Sequence, residues 1–222
     1  MLYASYLTFL FYFIPYLFSY YFVIDNKYKF INTSNTILFG SYCVYSAIHD
    51  LPYYNTNEDT IYKTSETALL LNEIYILRNL VDMFFIYKDD NNYEMYIHHL
   101  IVILFNIYYY NISKYQYYVV LFSFVELSSF FLSLTFTIKY YLNNKMLLIT
   151  SGLLLILSYL LRFVVMFYSI VIFNYNFLYY RENQYYIDLF LFNFSILTMT
   201  TMSSVWFIKL IYGFKKELKK NQ

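Results

Sequence analysis

The sequence predicts an all-α integral membrane protein, a bundle of about seven transmembrane helices. Three observations carry that prediction. Hydrophobic residues make up 60% of the 222 positions and charged residues only 13%, about half the charge of a soluble domain. The apolar residues gather into runs near the roughly 20 residues that a helix needs to cross a bilayer. With 3 Gly and 2 Pro, the chain is too poor in turn formers for a loop-rich all-β domain or a glycine-rich nucleotide-binding fold.

The candidate spans follow one another closely. The first covers about 3–24. It lacks the basic stretch and small-residue cleavage site of a signal peptide and is expected to be a retained helix. The second, about 35–51, is short. The third, about 67–87, is the most polar. The fourth, about 95–110, is again short, and both short spans are expected to be half-buried or little tilted. The fifth runs over about 117–140, the sixth over about 146–173 and the seventh over about 187–212. No repeat of fixed period and no low-complexity linker divides them. The chain therefore organises as an N-terminal helix and loop (1–32), a transmembrane domain (33–214) and a basic tail (215–222).

Tyr (32) and Phe (24) dominate the apolar runs. Both are encoded by AT-rich codons, and tyrosine is expected to replace Leu and Ala at many lipid-facing sites. Because tyrosine scores as polar, the mean hydropathy of +0.44 understates how membranous the chain is.

Charge and cysteine content exclude several classes. Disorder requires low hydrophobicity and high net charge. A net charge of +1 leaves no general nucleic-acid footprint. Cys43, the single cysteine, cannot form an internal disulfide and is expected to be a small buried residue. Orientation follows from the basic residues of the connections. Lys27, Lys29, Lys88, Lys139, Lys145, Lys215, Lys216, Lys219 and Lys220 fall on one side, against Lys63, Lys114 and Arg181 on the other. Seven spans then put the C-terminus in the cytosol. The three glycosylation sequons, at Asn32, Asn111 and Asn193, read as chance matches in an asparagine-rich chain.

Ionisable groups inside a bilayer are costly and usually face the bundle interior or a cavity. His49 and Asp50 close the second span. Glu73, Arg78 and Asp82 lie in the third, His98 and His99 in the fourth, Glu126 in the fifth and Arg162 in the sixth. Arg78 and Asp82, four apart, share a helix face and can neutralise each other. This pair is either a structural ion pair or part of a polar cavity. His98 and His99 point about 100° apart, so they are not expected to face the same spot. Imidazole there can act as base, nucleophile or ligand. Glu126 heads a polar stripe with Ser129 and Ser133, and Arg162 is expected to take Glu126 or Asp82 as its acidic partner. Trp206 reads as an interfacial anchor. Three histidines cannot fill a di-iron site, and no H-E-x-x-H spacing supports zinc. The expectation is therefore no metal.

In order along the chain stand Ser46-Ala47-Ile48-His49, Asp82 in Leu80-Val81-Asp82-Met83, Glu94-Met95-Tyr96-Ile97-His98-His99, Leu160-Leu161-Arg162 and Trp206-Phe207-Ile208-Lys209-Leu210-Ile211. From about Thr33 to Phe214 this order resembles the TLC domain shared by TRAM proteins, longevity-assurance ceramide synthases and related multi-pass proteins. Ceramide synthases carry H-D-x-S-D-x-x-L-E-x-x-K. With Glu126 on its first aspartate, Ser129, Ser133 and Phe136 occupy the remaining ionisable positions. Glu126-Leu127-Ser128-Ser129-Phe130-Phe131-Leu132 looks instead like the E-L-S-T-P-F-L of TLC-domain-containing proteins outside that branch.

The resemblance implies a protein of an internal membrane, the endoplasmic reticulum foremost, acting on membrane lipid composition. Two functions stay open. One is lipid binding or acyl transfer, with His98, His99, Asp82 and Glu126 as catalytic residues and His49, Arg78, Arg162 and Ser129 lining a lipid cavity. Its partners would be membrane lipids, with acyl-CoA as co-substrate and no other cofactor. The other is a non-catalytic scaffold, lipid sensor or translocation-associated factor. The Lys219-Lys220-Asn221-Gln222 tail has the dilysine form of a retrieval signal and equally the charge of a stop-transfer cluster.

Overall fold

The computed structural model describes residues 2–21, 27–86, 93–142, 144–179 and 186–220. All regular structure among them is helical. The helices are α1 (Leu2–Tyr21), α2 (Lys27–Asp50), α3 (Asp59–Tyr62), α4 (Glu66–Ile86), α5 (Tyr93–Ile112), α6 (Gln116–Phe122), α7 (Glu126–Thr137), α8 (Lys145–Tyr179) and α9 (Tyr186–Lys220). A 3-10 turn, Ser123–Val125, joins α6 to α7, and a π-helical turn, Ile138–Leu142, continues α7. Each expected span thus meets a long helical segment, although the fifth is not uniform.

The spans expected to be short are not short. Helix α2 has 24 residues and α5 has 20. Hydropathy marks only the apolar stretch, whereas the polar turn at Lys27–Ser34 and the ends of α5 still complete the i to i−4 ladder. Helices α8 and α9 have 35 residues each. At 1.5 Å per residue that is about 50 Å, longer than the roughly 30 Å of a hydrocarbon core.

Three segments, Gln116–Leu142, Lys145–Leu178 and Tyr186–Lys216, are long and apolar enough to cross a membrane. Their outer faces expose Leu153, Leu157, Val164 and Phe167 on α8 and Phe190, Phe194 and Leu197 on α9. Helix α1 carries six tyrosines in 20 residues, which lowers its hydropathy without removing its apolar bulk. Tyrosine is not confined to the outside: Tyr75, Tyr109, Tyr115 and Tyr118 are buried in the core. Cys43 is fully buried.

Helix α2 packs along α7, and the approach is closest at Gly40. A Cβ built there would lie 3.0 Å from the Phe130 Cβ and 3.2 Å from the Glu126 carbonyl oxygen. Small residues allow membrane helices to come this close.

The two ends of the bundle are tied separately. At one end, the Tyr115 N–H donates to the Ile61 carbonyl at 2.8 Å, and the Asn176 amide donates to the Thr60 hydroxyl at 2.7 Å. This brings the 51–65 connection, the α5–α6 turn and the C-terminal part of α8 together. Ser113 and Tyr115 adopt positive φ (51° and 60°) in that turn. At the other end, the Phe30 ring meets Tyr141 edge-on at 5.9 Å, and Lys209 pairs with Glu94 at 2.9 Å. Lys63 and Lys114 belong to the first end, and Lys139, Lys145, Lys215 and Lys216 to the second. Lys88, Arg181 and the last two residues of the tail lie outside the described residues.

Candidate functional site

Between the helices lies a cavity of about 870 Å3, within the range of small-molecule sites. Helix α4 supplies its charged wall. One helical turn brings Arg78 and Asp82 together at 3.5 Å, as their spacing predicts. Arg78 also faces Glu126 at 3.8 Å, donates to the Thr36 hydroxyl at 3.3 Å and lies 4.0 Å from the centre of the Phe39 ring. The Tyr12 hydroxyl of α1 donates to Asp82. Glu126 owes its place to the α6–α7 break, since it is the first residue of α7 after the 3-10 turn. Short 3-10 stretches inside a helix often mark functional positions.

Helix α5 supplies the histidines, whose rings lie 5.3 Å apart. Contrary to expectation both line the same cavity, because a cavity this wide spans the angle between adjacent helix positions. They differ in their partners. His99 is buried, and its Nδ1 meets the Asn79 Oδ1. The Asn79 Nδ2 donates to the Tyr75 carbonyl at 2.6 Å. With the amide nitrogen engaged there, the Asn79 oxygen must accept. His99 therefore carries its proton on Nδ1, which leaves Nε2 as the lone-pair nitrogen of the neutral ring. His98 Nδ1 lies 3.1 Å from the Met199 sulfur, and its ring stands edge-on to Trp206 at 5.2 Å. The indole N–H of Trp206 donates to Glu94 at 3.2 Å, so the end of α9 orients His98.

Helix α8 supplies Arg162, which is 4% exposed. Its expected acidic partner is not found. Glu126 and Asp82 are engaged with Arg78, and Arg162 instead donates to the Ser128 hydroxyl at 3.0 Å. The stripe expected at Glu126, Ser129 and Ser133 does reach the cavity. Beyond the histidines, toward the α5–α6 turn, the lining becomes mainly apolar, with Val102, Phe105, Val119, Phe122 and Ile196.

His49 stands apart. It is exposed at the far end of α2, its ring tilted against Tyr45 at 4.4 Å. The cavity is touched by Ile31–Thr36 of that helix, and the intervening turns carry His49 about 20 Å away along the axis. Among the described residues, no cluster of three or more His, Cys, Asp or Glu side chains is arranged to hold a metal.

The profile of the TLC domain matches residues 3–212. The chain belongs to the TLC domain family. That membership places it among membrane proteins of generally lipid-related function. No curated protein and no solved structure matches it. Within this TLC domain the cavity gathers Arg78, Asp82, His98, His99, Glu126, Ser129 and Arg162. Sequence reasoning passed over Tyr12, Ser128 and Met199, whose contacts cross between distant helices and leave no local spacing. Asn79 adjoins Arg78 in sequence, and its role as the acceptor for His99 became visible only with the helices packed.

Proposed function

We propose that the chain is a seven-span TLC-domain protein outside the ceramide-synthase branch. In this reading it resides in the endoplasmic reticulum with its C-terminus in the cytosol. Its cavity takes up a lipid acyl chain and transfers an acyl group from a thioester such as acyl-CoA to a lipid hydroxyl or amine. One observation carries the reading. A neutral imidazole with its Nδ1 proton pinned by a locked amide presents its other nitrogen as a base, in a cavity that is charged at the histidines and apolar beyond them.

The step balances without a metal or an oxidant. His99 Nε2 removes the proton of the acceptor hydroxyl or amine as that atom attacks the thioester carbonyl. The new C–O or C–N bond forms, the C–S bond breaks, and the proton passes from the imidazolium to the departing thiolate. General base catalysis of this kind contributes about 10²–10⁴-fold.

Purified full-length protein in detergent, given labelled acyl-CoA and mixed lipid acceptors, should form a labelled lipid. His99→Ala should lose at least about a hundredfold in rate, and Asn79→Ala should lose less. Product formation undiminished in both His98→Ala and His99→Ala would overturn the catalytic reading. The family's non-catalytic alternative, a lipid sensor or scaffold, would then stand. Protease protection of a tag placed after Gln222 tests the orientation. The same tag should release the protein from the endoplasmic reticulum if the dilysine form is a retrieval signal.

A further inference from the structure

Arg162 is the arginine of the cavity that has no carboxylate within ion-pair distance among the described residues. The other arginine, Arg78, faces two carboxylates, Asp82 at 3.5 Å and Glu126 at 3.8 Å. The guanidinium of Arg162 has one hydrogen-bond acceptor among the described residues, the Ser128 hydroxyl at 3.0 Å, which itself donates to the Val125 carbonyl at 2.8 Å. The Arg162 Nε is buried without a hydrogen-bond partner, and no carboxylate of the described residues lies within ion-pair distance. The nearest soft contact is the Tyr159 ring, 5.8 Å from the guanidinium carbon. Ser128 is a neutral partner, and a 4% exposed arginine has lost most of its water. A buried charge without a counter-charge is costly, and a planar guanidinium is shaped for a two-oxygen anion.

The geometry points to Arg162 as the anchor for the oxyanion head group of a long-chain amphiphile, specifically a fatty carboxylate whose chain lies along the apolar lining. This rests on the reading of the cavity as a lipid site and adds the head-group chemistry to it. The charge of the rest of the cavity sets the number of negative charges admitted. The two arginines and two carboxylates of the cavity already sum to zero, so a monoanionic ligand seated on Arg162 leaves one negative charge over. A second anionic charge on the ligand would face Asp82 and Glu126 with nothing to offset it. A monoanionic carboxylate therefore fits better than a phosphate monoester, which carries nearly two charges near neutral pH.

The full chain in detergent is loaded with tritiated palmitate, which is then competed with unlabelled palmitate, methyl palmitate or hexadecyl phosphate. Palmitate should bind at least about tenfold more tightly than its methyl ester, consistent with a charge-assisted contact, and more tightly than hexadecyl phosphate. Arg162→Gln should erase the advantage over the ester by weakening palmitate alone. Arg162→Lys, which keeps the charge and loses the planar fork, should retain part of it. Equal affinity of the wild type for acid and ester overturns the proposal. So does a preference undiminished in Arg162→Gln or, should that variant fail to accumulate, in Arg162→Lys. Tighter binding of hexadecyl phosphate than of palmitate overturns the carboxylate assignment. Failure of all three amphiphiles to bind overturns the lipid-cavity reading itself, whereas binding blind to head-group charge overturns only this inference.

Discussion

Asp188 and Asp82 are both buried, at 1% and 6% exposure, yet their surroundings are built on opposite plans. Asp188 lies in the first turn of α9, where helix N–H groups favour negative charge. It accepts from the hydroxyl of Tyr108 and, at 3.3 Å, from that of Tyr115, while its carbonyl accepts from Tyr109 at 3.3 Å. Aromatic rings pack solidly beside this cluster. Phe173 and Phe192 stack at 3.8 Å with planes 2° apart, and Tyr118 meets Phe192 at 4.9 Å. Asp82 instead shares a cavity wall with Arg78, Glu126 and the two histidines, and that cavity also holds an arginine with unmet donors. The contrast separates two meanings of a polar residue inside a bundle. Where the carboxylate is engaged by tyrosine hydroxyls from neighbouring segments and rings fill the space, the polar group holds helices together. Where hydrogen-bonding capacity is left over beside a void, the capacity is available to a ligand.

The strongest way to break this contrast is to remove one member of each kind and measure thermal unfolding in detergent. Asp188→Ala leaves the hydroxyls of Tyr108 and Tyr115 without their acceptor, at roughly 1–3 kcal/mol for each buried group left unpaired. The midpoint should fall by about 2–4 °C for each kcal/mol lost. Arg162→Met removes a buried charge that no carboxylate meets directly, and with it the cost of keeping that charge out of water. Its midpoint should stay level or rise in lipid-free detergent. If both variants fell alike, the distinction between the two clusters would fail for this protein.

A smaller effect sharpens the comparison at the cavity wall. Gly40 sits against the Phe130 Cβ and the Glu126 carbonyl, which are rigid parts of α7 rather than flexible side-chain ends. Gly40→Ala requires α2 and α7 to part by a few tenths of an ångström, and overpacking of this sort typically costs about 1–3 kcal/mol. Because Glu126 heads α7, the displacement should reach the cavity. Gly40→Ala should therefore weaken palmitate binding more than its modest loss of midpoint would suggest, and Gly40→Leu should do so more strongly. Gly213 offers the control: a Cβ there meets nothing within 4 Å, so Gly213→Ala should leave palmitate binding unchanged and should not lower the midpoint.

Much of this plan could be read from the sequence. The helices were legible because apolar runs of membrane length are strong signals, and the Arg78–Asp82 pair because a spacing of four fixes a common face. The inventory of ionisable residues already contained the charged part of the cavity wall. What stayed hidden was the division of polar residues between the two plans. Asp188 was passed over at the border of the last span, since its tyrosine partners lie about 70–80 positions away in sequence. His49 was grouped with the other histidines because residue type carries no information on which end of a helix reaches the cavity. The acidic partner expected for Arg162 was a reasonable inference from charge alone. It failed because the two available carboxylates both converge on Arg78, a competition settled only by where α4, α7 and α8 cross.

The smallest expected effect concerns the 51–65 connection, at the end of the bundle where Ile61 meets Tyr115. Burial opposes ionisation of Asp59, but the backbone N–H groups of Asn55 and Thr56 and the nearby Lys63 together outweigh it and hold the carboxyl below its usual range. Asp59 Oδ2 accepts from those two N–H groups at 2.9 and 3.1 Å and lies 3.7 Å from Lys63. The turn so formed presents the Ile61 carbonyl to the Tyr115 N–H, which places Tyr115 to reach Asp188. A carboxyl whose folded value is depressed contributes stability in full above its unfolded value of about 3.9. That contribution is lost as pH falls through the folded value. Protection of the Tyr115 amide against hydrogen exchange, corrected for intrinsic rates, should therefore be flat above about pH 5 and decline below about pH 4. Asp59→Ala should show the reduced protection already at neutral pH and lose the acid-dependent step. Because the half-buried carboxylate still reaches solvent, the change should be only several-fold and confined to this end, leaving palmitate binding in the cavity untouched. A coupled loss of binding would mean that this end of the bundle is not independent of the cavity.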